Sequence, residues 1–550
     1  MKQRMSTICG ALVVIALTAA IGIATFVAQR ANASQLSTSD IENVYTEEYQ
    51  QQAQAVIDKK KTSRTWDEDH MLTVMNPYGT NTTSMYLYFS TDELAKVSYR
   101  VSTPNTDYPE FSATPNDGDS YSNEHEFLVL GLIPGKRNVI TITLTYENGQ
   151  QVTRTISKKG PSKLGSEEIQ LERTVSASDS NTTAMDNGLY AVLGNDSDDQ
   201  DFMYYYDQYG VLRGEIPILY YRSHRLLFDD QGRMLFSVST HDIVAMNALG
   251  RIEQFYRMPG NTILHHDYVL DDDGNLLLLA TDLDDVSVQD KVVSINTTTG
   301  EGEVVLDLGD LFGSYKASTT KPGNAKATSS DSSAKNWDWF HANTIQYLPD
   351  GSIILSSRET STIVKINDIA GSPSIGYMLG EQSFWENTAY AKYLYSKVGS
   401  FSGTGGQHSV TYDRDPDLPD GQYYLYMFNN NFGYSASNPG YDWTQIDGIE
   451  TSIKEGKTSY FTKYLVDENA GTYRLVQRFA VPFSAYVSSA QEYEGTGANN
   501  ATSIVVDSGI QGVWGEYATN GTLRTQYKMT LSDQYIYRVY KYDFRGFYFA

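Results

Sequence analysis

The stretch FHANTIQYLPDGSIILSSRETS, residues 340–361, sets His341 and Asn343 two apart before a turn and places Arg358 after a second apolar run. Two further histidines, His265 and His266, stand together in HHD, and His408 follows a glycine-rich bend in GGQHS. A neutral imidazole can attack an electrophile or carry a proton. An arginine fork, joined by histidine and asparagine donors, suits a tetrahedral oxyanion. Several histidines also raise zinc. Arg358 in their company would repel a metal ion, so an anion is the better guest.

What positions these residues is a repeat. HRLLFDDQGRMLFSVS (224–239), HDYVLDDDGNLLLLAT (266–281) and ANTIQYLPDGSIILSSRE (342–359) align with Gly232, Gly274 and Gly351 in register. Each reads as strand, acidic turn, strand, with a third strand such as KVVSIN (291–296) or TIVKIN (362–367) behind it. HSVTYDRDPDLPDGQYYLYMFN (408–429) and SIVVDSGIQGVWGEY (503–517) are looser copies. Antiparallel units of roughly 40–75 residues read as propeller blades. The expectation is an all-β chain with a six-bladed β-propeller over 185–550.

The alignment puts His224, His266 and Asn343 at one repeat position, at the start of the strand that lines a propeller's channel. Alternate strand residues share a face, so His341, Asn343, Ile345 and Tyr347 are expected on one face, with His266, Tyr268 and Leu270 on the matching one. Arg358 ends the second strand near the same mouth. A lone histidine at a strand end is usually structural. Here four of the eight histidines, His265, His266, His341 and His408, fall at or beside repeat-equivalent strand starts, which favours a ring aimed into the channel.

Ahead of the propeller, MYLYFS (85–90), AKVSYRVST (95–103), HEFLVLGL (125–132) and RNVITITLTYENGQQVTRTI (137–156) are β-rich runs broken by turn residues, and predict a small β-sandwich over 70–160. Residues 34–69 read as a helical stalk or linker. The low-complexity 316–336 segment reads as a flexible loop between blades. Residues 1–33 hold a basic start, an apolar run from Ile8 to Ala28 and a small-residue cleavage site at Ala31–Ala33. They predict export, as a cleaved signal peptide or a retained membrane anchor. The only cysteine, Cys9, lies in that segment, so the exported body has neither disulfides nor thiol chemistry. With 67 acidic against 42 basic residues, a net charge of −25, no nucleic-acid partner is expected.

HHD (265–267), HANTIQYLPDGSIILSSR (341–358) and GGQHS (405–409) resemble the bacterial arylsulfate sulfotransferases. NPYG (76–79), SSAQ (488–491) and GVWGEY (512–517) fit the same family, so the resemblance runs from about residue 70 onward. It implies a six-bladed propeller behind a small β-domain. The implied activity moves a sulfuryl group from an aryl sulfate donor to a phenolic acceptor without a nucleotide donor or any cofactor. Residue by residue, His408 matches the nucleophile that becomes a sulfohistidine. His341, Asn343 and Arg358 match the sulfate-binding and acid/base set. One of His265 and His266 matches a further sulfate ligand, and strand parity favours His266. The family suggests a dimer. Enterobacterial members carry a disulfide, which this chain departs from.

Two other classes stay open: an exported propeller hydrolase that hands the group to water, and a non-enzymatic sensor or adhesion propeller. The sensor has no use for His341, Asn343, Arg358 and His408 together. DRDPDLPDG (413–421) spaces Asp413, Asp415 and Asp417 somewhat like a calcium loop but lacks the full pattern, and an acidic turn accounts for it as well.

Overall fold

The computed structural model describes residues 40–176, 188–194, 201–330, 333–453, 457–494, 502–531 and 534–550. The export segment over 1–33 lies outside the described residues.

The helix Glu47–Lys61 begins where Thr46 accepts the Tyr49 amide on its side chain (3.2 Å). Glu47 and Glu48 in its first turn and Lys59–Lys61 in its last complement the helix dipole. It is not a stalk. Tyr49, Ala53 and Ile57 are buried in a core shared by the N-terminal domain and the first propeller sheets. Gln50 donates to the Tyr78 carbonyl (3.1 Å) and accepts from the Ile252 amide (3.1 Å), so the helix is a strut wedged between the two parts.

In the N-terminal domain the long strand Met85–Ser102 serves two sets of partners. Its first part pairs with Leu72–Met75 and Ser122–Val129, and its second with Phe111–Ala113 and Arg137–Tyr146. A register shift between Ser90 and Ala95 separates the halves.

Six further sheets, of four or five strands each, make up the rest. The strands Thr262–Leu270, Ala342–Tyr347, His408–Asp413, Ser489–Glu494 and Arg538–Tyr542 each stand at an edge of their sheet and pack in succession against one another. That is the inner ring of a propeller. The final strand, Arg538–Tyr542, pairs with Leu189–Leu193 and so completes the first sheet with the last residues of the chain. Conversely, Glu172–Val175 supplies the outermost strand of the sixth sheet. The sheets pack through apolar layers such as Leu264, Tyr268, Leu278 and Val293, with buried aromatics throughout.

The 316–336 segment is held more firmly than its composition predicts. Lys316 at its start pairs with Asp290 (3.1 Å), the Thr320 amide donates to the Ser437 carbonyl (2.6 Å) and the Ala327 amide to that of Asp285 (3.3 Å). Low complexity reports weak apolar content, not the anchoring available from a few polar contacts.

Candidate active site

The candidate histidines and Asn343 lie in or next to three neighbouring inner strands, each of which breaks its regular pairing there, and Arg358 directly follows the strand Ile353–Ser357 beside the second of them. The register shifts between Leu264 and Tyr268, between Ala342 and Thr344, and between His408 and Thr411. His266 and Ser409, inside their shifts, and His341, one residue before the second, take the left-handed backbone conformation, with φ of 54°, 56° and 55°. Non-glycine residues hold this conformation only where the surroundings enforce it, and bulges are a known means of re-aiming side chains. Simple alternation therefore fails here: the extra residue between Ala342 and Thr344 separates His341 from the face expected for Asn343.

His408 is almost fully buried. Its Nδ1 lies 2.9 Å from the Gly406 carbonyl and 2.8 Å from Asn430 Oδ1. The Asn430 amide is fixed from its other side, because Nδ2 donates to the carbonyls of Ser484 (2.8 Å) and Val487 (3.0 Å). Both neighbours of His408 Nδ1 are therefore acceptors. The proton sits on Nδ1, and Nε2 keeps its lone pair. Burial drives the pKa of His408 down to about 3, against the Asn430 hydrogen bond that raises it and with help from the positive charges of Arg358 and Arg538. The ring is a neutral base with its reactive nitrogen unprotonated.

The bend before it needs its glycines. A side chain at Gly405 would sit 2.9 Å from the Phe432 amide nitrogen, and Gly406 has a φ of +61°.

His341 Nδ1 lies 2.5 Å from Asp338 Oδ2. The His341 ring stands edge-on to His266, with centroids 4.8 Å apart. His265 meets His266 Nδ1 to Nδ1 at 3.0 Å. Burial holds His266 well below the usual histidine range, and His341 and His265 push it the same way. Of the two adjacent histidines, His266 is thus the one facing His341.

Arg358 donates to Glu359 Oε1 (2.6 Å), and its guanidinium lies 5.7 Å from the Tyr434 ring. The other oxygen of Glu359 accepts from the amide and hydroxyl of Ser437, each at 3.0 Å, which anchors the loop carrying Tyr434. Arg358 comes within reach of the His408 bend: a Cβ at Gly406 would lie 3.8 Å from Arg358 Cγ. Asn343 serves that bend differently from the expected role. It is fully buried, and Nδ2 donates to the Gln407 carbonyl (2.8 Å), clamping the residue before His408.

The structure thus gathers His408, His341, His266, Arg358 and Asn343 at one end of the inner ring, with His265 beside His266. Sequence reasoning missed Asp338, Glu359 and Asn430, although Glu359 follows Arg358 directly and Asp338 stands three before His341. His224, aligned with His266, is a buried neighbour whose Nδ1 lies 3.2 Å from Ser237 Oγ. Asp413 pairs with Lys463 (2.9 Å), and Asp415 accepts the Asp417 amide (2.9 Å) within the DRDPDLPDG turn. Among the described residues no group of three or more His, Cys, Asp or Glu is placed to hold a metal ion. Nor is any helix among them long and apolar enough to cross a membrane.

The family described as Arylsulfotransferase (ASST) matches residues 174–538, and its Ig-like N-terminal domain matches residues 72–160. The chain belongs to the arylsulfotransferase family. No curated protein matches it. Solved structures similar to it include a protein of unknown function from Bacteroides caccae, at 10% identity and a TM-score of 0.34, over 65% of this chain and 99% of that one. Streptogramin B lyase matches at 12% identity and 0.32, over 66% and 88%. The WD40 domain of Toxoplasma gondii coronin matches at 9% and 0.29, over 66% and 76%. The cluster offers an unprotonated imidazole nitrogen, a guanidinium, and a second imidazole backed by a carboxylate.

Proposed function

We propose that this arylsulfotransferase transfers a sulfuryl group from an aryl sulfate to a phenol in two steps through a sulfohistidine on His408. The observation that carries this reading is the fixed proton on His408 Nδ1, which leaves Nε2 as a buried, neutral nucleophile.

In the first step Nε2 forms a bond to sulfur as the bond from sulfur to the aryl oxygen breaks. His341 gives its Nε2 proton to the departing phenoxide, and His408 becomes an N-sulfo-imidazolium. The positive charge that develops on its ring is met at Nδ1–H by the Gly406 carbonyl and Asn430 Oδ1. Arg358 and His266 hold the sulfuryl oxygens as charge redistributes. In the second step the acceptor phenol returns a proton to His341, its oxygen attacks sulfur, and the N–S bond breaks. His408 is restored neutral. The basic start and apolar run of residues 1–33 support placing the reaction outside the cytoplasm.

The test is incubation of the purified chain with a chromogenic aryl sulfate, with and without a phenol, followed by peptide mass spectrometry of the donor-only sample. The expected result is ping-pong kinetics and a sulfuryl mass on His408, absent in His408→Ala. A mass on another residue, or an active His408→Ala variant, overturns the assignment. Equal turnover without phenol would make the chain a hydrolase instead.

A further inference from the structure

His408 and His341 are both held through Nδ1, and both therefore turn Nε2 toward the reaction. What differs is the charge of the group behind them. Behind His408 stand an amide oxygen and a backbone carbonyl, both neutral. Behind His341 stands the carboxylate of Asp338, whose ion pair among the described residues is with His341. A neutral acceptor fixes a tautomer without compensating an imidazolium charge. A carboxylate does both.

We infer that Asn430 and Asp338 are positioning residues that divide the chemistry, the amide keeping His408 an unprotonated nucleophile and the carboxylate letting His341 hold and release a proton. This rests on the sulfuryl-transfer reading, which it deepens by giving each histidine one role. The wider surroundings are consistent with the division. The charges bearing on His408 are His341, Arg358 and Arg538, all cationic or neutral. Near His341 are His266, Asp338 and the buried Glu359, whose carboxyl feels both Asp338 and His341. Asn430 is also firmly placed by two backbone carbonyls, so it cannot turn its NH₂ to His408 without leaving both unpaired.

The two roles predict different responses to the leaving group. Protonating the departing oxygen matters greatly for phenyl sulfate and little for nitrophenyl sulfate, whose phenoxide leaves readily. Asp338→Asn is expected to slow phenol release from phenyl sulfate by about 10²-fold or more, while slowing nitrophenyl sulfate less than about tenfold. Asn430→Ala is expected to slow both esters by the same factor, because it impairs the nucleophile common to both. A merely structural Asp338 would slow both esters alike, which overturns the assignment. Because Asn430→Ala removes three hydrogen bonds and can unfold locally, the unaltered chain supplies an independent readout. In ¹⁵N-histidine-labelled protein, the His408 signal (identified by its loss in His408→Gln) should show Nδ1 protonated and Nε2 bare at neutral pH. An Nε2–H tautomer or an imidazolium overturns the role given to Asn430. If the unaltered chain releases no phenol from either ester, the sulfuryl-transfer reading fails, and the nitrogen spectrum alone then decides the tautomer.

Discussion

Arg538 Nη1 lies 2.8 Å from Asp267 Oδ1, joining the last strand of the chain to the strand that carries His265 and His266. The same guanidinium donates to the backbone carbonyls of His224 (3.3 Å) and Asn343 (2.9 Å). Asp267 in turn is gripped by Arg225 through both oxygens at 2.8 Å and accepts the Ile345 amide (3.1 Å). The aspartate of HHD is therefore the knot beneath the site, and the strand that closes the ring also braces the strand that carries it.

Arg538→Met should consequently lower stability and activity together. It leaves Asp267 with one cation and orphans two buried carbonyls. Breaking a buried pair costs about 3–5 kcal/mol, and Arg225 retains part of that. Arg538→Lys should rescue little, because one ammonium cannot reach three acceptors lying in a fork. Thermal unfolding checks this, and an unchanged midpoint in Arg538→Met would refute the knot.

The fold was largely legible because its signals are local. Glycine turns in register and alternating apolar residues repeat from blade to blade, and each repeat buries its own face against the next. The residues of the site were legible as types, since an arginine and histidines at the ends of buried strands conflict with burial unless something uses them. Their partners were not. Asn430 meets His408 across 22 residues and Arg538 meets Asp267 across 271, and no periodicity encodes such pairs. The register shifts near His266, Asn343 and Ser409 and the left-handed His341 also escaped, because a left-handed residue that is not glycine leaves no mark on composition. Strand parity read across a bulge gives the wrong face, as it did for Asn343. The helix at 47–61 was legible as a helix, but its buried face mixes Tyr49, Gln50, Ala53 and Ile57, a pattern that sequence alone does not separate from a solvated stalk.

Arg358 should be the side chain, after His408, whose loss costs most rate. In the proposed mechanism Arg358 donates to the sulfuryl oxygens, so Arg358→Ala should reduce turnover by about 10²–10³-fold. It also leaves Glu359 buried without its cation. The double variant with Glu359→Gln should therefore recover stability but not activity. Steady-state kinetics beside thermal unfolding separate the two effects, and recovered activity in the double variant would contradict the role of Arg358.

The acid side of the pH profile follows from His408. An ordinary histidine is protonated below about 6.5, whereas His408 in the fold stays neutral down to about 3. Formation of the sulfohistidine should therefore lose nothing to His408 protonation between pH 7 and 5. Stability has the opposite character. Between about 3 and 6.5 the unfolded chain binds a proton at this residue that the folded chain refuses, so stability falls as pH drops through that window. His408→Gln should flatten the slope. Midpoints measured at pH 5 and 7 for both proteins test it, and an identical slope in His408→Gln excludes His408 as its source.

Asp507 should give a slope of the other sign. It is fully buried in the sixth sheet, opposite Ser489 on one side and Trp514 on the other. Neither carboxyl oxygen has a hydrogen-bond partner, and neither does the Trp514 indole nitrogen beside it. Burial alone raises its pKa well above the ordinary 3.8. Over the window that opens near 3.8 and extends up to the raised value, the folded chain therefore holds a proton that the unfolded chain has released. Stability then falls as pH rises through that window, and is fully retained below it. Asp507→Asn keeps the shape and removes the ionisation. It should match the unaltered protein near pH 4 and exceed it increasingly as pH rises through that window, by about 1.4 kcal/mol per pH unit crossed. Denaturant unfolding at pH 4 and pH 8 reads this difference directly. A gain of equal size at both, or a loss at both, would show that Asp507 does not titrate between the folded and unfolded chain.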